Sequence, residues 1–128
     1  MPHLVLEYSS NVPHTRDLAV VLQQLHEALA ASGSFDLAKI KSRAVRHDVF
    51  RVADGAEDRA FVHLTAAVLD GREAEALRRA AGALLGVLDS AFARARAERR
   101  CDLTLEVREV PQSLYFKAPP VAHGSVPR

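Results

Sequence analysis

At 128 residues, with 48% apolar side chains, the chain is the size of one domain and can bury a real core. A formal net charge of +1 excludes an overall electrostatic bias toward nucleic acid or anionic membrane, so anion binding has to be local. A single cysteine, Cys101, excludes an intrachain disulfide, and neither a signal peptide nor an apolar run of roughly 20 residues is present; the expectation is a soluble protein of the cytoplasm.

In chain order, residues 4 to 8 alternate Leu4, Leu6 and Tyr8 on one side with Val5 and Glu7 on the other, which predicts a first strand. From Arg16 onward Leu18, Val21, Leu22, Leu25, Ala28 and Leu29 recur at helical spacing, with Thr15 as candidate N-cap and Gly33 as the stop. After the loop "GSFDLA", the stretch "IKSRAVRHDVF" has no helical stripe and reads as a second strand. Asp54-Gly55 is a turn signal, and "RAFVHLTAAVL" follows as a third strand with Val62, Leu64, Ala66 and Val68 on one face. Asp70, Gly71 and Arg72 lead into a longer helix with the stripe Leu77, Ala81, Leu84, Leu88, Ala91 or Phe92, and Ala95. Asp70 is its candidate cap, Glu73 and Glu75 fall in its first turn, and Arg94, Arg96, Arg99 and Arg100 crowd its far end. "LTLEVREV" is a fourth strand with Leu103, Leu105 and Val107 on one face, and residues 111–128 are expected to be largely irregular.

The order is strand, helix, strand, repeated once. It predicts an α+β domain of two consecutive βαβ units, about 2–53 and 56–110, forming one four-stranded mixed sheet with both helices on one face. The other face, on which Tyr8, His63, Thr65 and Ala67 are expected, then lacks a cover, and oligomerisation is the natural way to supply one.

Three features carry possible chemistry. A methionine followed by proline favours removal of the methionine, which leaves Pro2 with a free secondary amine, although proline is also well tolerated as the first residue of a strand. An α-amine has an ordinary pKa of about 7.7–8.0, so a modest downward shift makes it a base at neutral pH, and the ring holds it rigidly. In "KSRAVRH" a strand places Lys41 and Arg43 on one face about 7 Å apart, suited to gripping carboxylates or to guarding a strand edge. Arg72 in "DGRE" stands at a helix start, where free N–H groups already favour anions, although Glu73 can also neutralise it. The six histidines show no metal-binding pairing, Gly82 and Gly86 read as close-packing positions within a helix, and Cys101 reads as structural.

Together these pieces resemble one family. "MPH" at the start, "E-Y-S-S-N" after the first strand, "AASGSFDLAKIKSRA", "ADGAEDRAFVHLT", the "GR" before the second long helix and "LYFK" near the end resemble, in that order, the 5-carboxymethyl-2-hydroxymuconate Δ-isomerase family of the tautomerase superfamily. The resemblance implies a homotrimer whose sheets line a central barrel, and a proton transfer within an unsaturated keto acid, in aromatic-compound catabolism, that needs no metal, nucleotide or flavin. It implies Pro2 as the base, with Lys41 and Arg72 at the positions of the family's substrate-binding arginines. Lysine there supplies a point charge rather than a planar fork, and Arg43 on the same strand face can take over bidentate binding. A small dicarboxylate or tricarboxylate is then the expected partner, rather than nucleic acid or membrane. Two alternatives stay beside this one: a tautomerase of an aryl pyruvate enol, and a trimeric interaction module without chemistry.

Overall fold

The computed structural model describes residues 1–14 and 16–120. The strands are β1 (His3–Ser9), β2 (Lys41–His47), β3 (Arg59–Leu69) and β4 (Arg100–Val110). The helices are α1 (Leu18–Ala31), α2 (Ala74–Ala91) and the short α3 (Ala93–Glu98), with single 3₁₀ turns at Leu37–Lys39 and Gln112–Leu114. The sheet order is β2-β1-β3-β4. β1 pairs parallel with β2, β3 pairs parallel with β4, and the central pair β1 and β3 is antiparallel, so two parallel units meet along one seam. The mixed four-stranded sheet expected from the element order is therefore present.

Period-two alternation explains which residues enter the core. Leu4 and Leu6 of β1 and Val62, Leu64, Ala66 and Val68 of β3 are buried on one face. Val21, Leu25 and Leu29 of α1 and Ala80, Leu84 and Leu88 of α2 join them in one apolar cluster, so both helices lie on that face. His3, Val5 and Glu7 point the other way, opposite Ala67, Thr65 and His63.

Several expectations are corrected. Tyr8 does not belong to the open face: it aligns with Val62 and is buried with Leu4 and Leu6, because the alternation that buries those two carries Tyr8 with them. Thr15, the expected cap of the first helix, lies outside the described residues, and Asp17 caps α1 by accepting from Ala19 N at 2.9 Å. Asp70 does not cap α2, since Gly71 at φ 105° turns the chain before the helix begins. Its carboxylate instead accepts from Gln112 N at 3.2 Å and its carbonyl from Gln112 Nε2 at 2.9 Å, fastening the end of β3 to the segment after β4. A Cβ on Gly82 or Gly86 would meet nothing within 4 Å, so these glycines are not close-packing positions; they line an open groove of about 690 Å³ with Leu85, Cys101 and Leu103.

The second long helix does not run on through Ala95. Phe92 adopts φ −113° and ψ 23°, separates α2 from α3, and drives its ring wholly into the core. Arg100 is consequently the first residue of β4 rather than a helix-end cation, and it grips Asp58 with two bonds of 2.7 Å. The Arg100 hydrogen bond holds the Asp58 carboxyl below the usual carboxylate range. Its stabilising effect is thus present above the unfolded-state pKa and is lost as pH falls through the depressed folded value. In Arg100→Ala the Asp58 titration midpoint should rise toward its ordinary value by NMR, with little change in overall stability because both groups are exposed.

Candidate active site

Parallel pairing of β1 with β2 puts the start of both strands at one end of the sheet. His3 aligns with Lys41 and Val5 with Arg43, and Lys41 N donates to the Pro2 carbonyl at 3.1 Å. The Pro2 ring is fully buried, while Lys41 and Arg43 are exposed on the open face beside it. Three of the four residues singled out in the sequence are therefore brought together.

The structure adds two groups. Arg43 Nη1 donates to His3 Nδ1 at 3.2 Å, and His3 Nε2 lies 3.2 Å from the Tyr115 hydroxyl, the two rings meeting edge to face. Neither residue was identified from the sequence. His3 has no metal-binding pairing in the sequence to single it out, and Tyr115 is 112 residues away from it along the chain. The usable signal was alternation: it assigns His3 to the face of Val5, and thus to that of Lys41 and Arg43 once the register is known.

This end of the sheet is electropositive. The terminal amine of Met1 is held below its ordinary value, first by burial and then by the charges of Lys41 and Lys117. His3 is likewise pushed down, first by burial and then by Arg43. Lys41 Nζ donates to the Lys39 carbonyl at 2.8 Å, which keeps its charge near the strand start. Burial also pushes the Cys101 thiol up, in keeping with its structural reading.

Arg72 is differently placed. Its Nε and Nη2 donate to the Ser34 carbonyl at 3.3 and 3.0 Å, and its Nη1 donates to the Leu69 carbonyl at 3.1 Å. Its guanidinium carbon stands 4.1 Å above the Phe35 ring centroid. Arg72 thus ties the loop after α1 to the end of β3, which is the sheet end that carries Pro2, because Ala67 faces His3. It borders a separate depression of about 370 Å³ with Ser34, Leu69 and Gln112, and retains an N–H on each terminal nitrogen for another acceptor. Among the described residues, no hydrogen bond joins it to Lys41 or Arg43.

Elsewhere the open face carries polar pairs: His63 with Thr104 at 2.7 Å and with Glu106 at 3.0 Å, and His47 with Glu7 at 3.2 Å. Among the described residues no group of three or more His, Cys, Asp and Glu side chains is placed to hold a metal ion, and no helix is long and apolar enough to cross a membrane. A strand-end nitrogen among cations can move a proton and hold the anion that results.

Comparison with known proteins places the chain in a family. Residues 2–124 match the model of the family described as 5-carboxymethyl-2-hydroxymuconate isomerase. The chain is 35% identical over 117 residues to the 5-carboxymethyl-2-hydroxymuconate Delta-isomerase of Escherichia coli, covering 91% of this chain and 93% of that protein. Among solved structures it is similar to a 5-carboxymethyl-2-hydroxymuconate isomerase from Deinococcus radiodurans R1, with a TM-score of 0.85, 35% identity, and coverage of 93% and 90% of the two chains. A fused 4-OT protein solved as a symmetric trimer shares the fold at a TM-score of 0.72 and 18% identity, covering 98% of this chain and 99% of that one.

Proposed function

The chain belongs to the 5-carboxymethyl-2-hydroxymuconate isomerase family, and from that premise we propose that it converts 5-carboxymethyl-2-hydroxymuconate to its keto isomer with Pro2 as the general base. It is an isomerase. The observation that carries the role of Pro2 is the electrostatics at the start of β1, where burial and then Lys41 and Lys117 disfavour the protonated α-amine of Met1, the residue next to Pro2.

Once Met1 is removed, the neutral Pro2 nitrogen takes the proton of the substrate's 2-hydroxyl, leaving a dienolate and a protonated proline. The proline then returns that proton to C5, the distal carbon of the conjugated system, and the 2-oxygen becomes a ketone. Nothing else is consumed. Negative charge is greatest on the 2-oxygen and the adjacent carboxylate while the dienolate exists, so cations fixed there stabilise the transition state more than the substrate. Lys41 and Arg43 suit that position, and Arg72, with its remaining N–H groups, suits a second carboxylate. Lys41, which lowers the α-amine of Met1 at this strand end, would act on a processed Pro2 amine in the same direction, so substrate anchoring and base activation share that residue.

Three features support a homotrimer: the uncovered sheet face, the polar pairs along it, and the trimer formed by the fused 4-OT protein of the same fold. The unpaired Cys101 suits the cytoplasm. Several cations at one sheet end favour a ligand with more than one carboxylate over an aryl pyruvate enol.

The test is ketonisation followed by ultraviolet absorbance on a panel of dienols, with identification of the products. The carboxymethyl-hydroxymuconate should exceed an aryl enol by at least about tenfold in kcat/KM, because a missing carboxylate leaves a cation placed to receive it without its partner. Comparable or faster turnover of the aryl enol would give that substrate class the assignment instead.

A further inference from the structure

We propose that Tyr115 donates a hydrogen bond to the 2-oxygen of the substrate as negative charge develops there, oriented by the chain Arg43–His3–Tyr115. The inference rests on the isomerase reading above and adds to it a residue that touches the reacting atoms, together with two that position it.

The proton bookkeeping starts at Arg43. A guanidinium has no acceptor, so its 3.2 Å contact with His3 Nδ1 requires a lone pair on that nitrogen. A neutral imidazole whose Nδ1 accepts carries its proton on Nε2. Nε2–H therefore donates to the Tyr115 oxygen across 3.2 Å, and the phenolic hydrogen is left for a different acceptor. Among the described residues, no carbonyl or carboxylate is hydrogen-bonded to the Tyr115 hydroxyl. The depressed pKa of His3 keeps the imidazole in the neutral form that this arrangement needs.

Position agrees with the direction of donation. His3 follows Pro2 directly, so its Cα lies about 3.8 Å from that of the base. Lys117, two residues beyond Tyr115, acts electrostatically on the terminal amine, so the segment after the second 3₁₀ turn passes the start of β1. Tyr115 is half-buried there, and its phenol supplies a neutral hydroxyl beside the imidazole of His3. The substrate's 2-oxygen must approach the Pro2 nitrogen to surrender its proton, and it becomes the strongest acceptor in the site at that moment. A donor whose own oxygen is already bonded to His3 gains acidity and loses rotational freedom, which suits it to a charge that exists only transiently.

The experiment measures kcat and KM for ketonisation with wild type, Tyr115→Phe, His3→Ala, the double variant and Pro2→Ala, with thermal unfolding to verify that each is folded. Tyr115→Phe should lower kcat by about ten- to a hundredfold with KM within about twofold, the signature of an interaction made mainly in the transition state. His3→Ala should lower kcat in the same way, and the double variant should be no slower than Tyr115→Phe, since His3 acts through the phenol. Unchanged kcat in Tyr115→Phe, a rise in KM alone, or additive losses in the double variant would each overturn the proposal. If any of these occurs while Pro2→Ala is inactive, the isomerase reading stands without it. If wild type itself leaves the dienol unchanged, both fall together.

Discussion

Protein that retains Met1 should ketonise its dienol at least about a hundredfold more slowly than protein beginning at Pro2, the lower end of what a positioned base contributes. With Met1 attached, the Pro2 nitrogen is an amide with no basic lone pair, and the terminal amine sits one residue too far along the chain. Mass spectrometry of the amino-terminus alongside the rate of each fraction makes the comparison within a single preparation. Equal turnover by the two forms would remove Pro2 from the mechanism. The processed form also has a predicted pH dependence. Catalysis needs the unprotonated amine, so kcat/KM should rise with pH and reach half its plateau below the ordinary α-amine value of about 8. Burial and the Lys41 and Lys117 charges, which depress the amine at this strand end, set that direction. Lys41→Ala should accordingly move the midpoint upward.

The largest loss of stability is expected from Phe92→Ala, about 3–5 kcal/mol in urea unfolding. Phe92 is fully buried, and its ring fills the core where α2 ends and α3 begins, so truncation removes apolar burial and leaves a cavity at a junction held on both sides. The substituted residue keeps a backbone conformation open to alanine, so the effect isolates packing from strain. A loss below about 1 kcal/mol would mean that the helix layer collapses to refill the site. Because Phe92 packs in the helix layer and not on the open face, the folded fraction should retain the wild-type pH profile.

How far the site could be read from the sequence depended on the distance over which each constraint acts. Lys41 and Arg43 share a face because strand side chains alternate, and that holds without knowing any partner strand. The lead-in through Gly71 was visible for a similar reason, although Asp70 was assigned to the helix it precedes and not to Gln112, which is 42 positions away. Arg72 was recognised as a cation at a helix start, yet the carbonyls of Ser34 and Leu69 that hold it, and the Phe35 ring beneath it, could be found only in three dimensions. Tyr8 is a different case. Its own alternation with Leu4 and Leu6 was sufficient to bury it, and its mixed chemical character had suggested the opposite face.

By itself the sequence determined the two strand–helix–strand units, the buried face of the third strand, most of the apolar stripe of the first helix and the proline at the head of the first strand, while the second helix buries Ala80 where its spacing had suggested Ala81. These follow from periods of two and 3.6 residues and from turn chemistry, all of which act within a few positions. Only the tertiary structure decided that His3 meets Arg43 on one side and Tyr115 on the other, that Phe92 divides the second helix, and that Arg100 leaves it for Asp58. Those contacts depend on strand register and on how the chain returns after β4. Both are set by the packing of the whole core, to which no local pattern is sensitive.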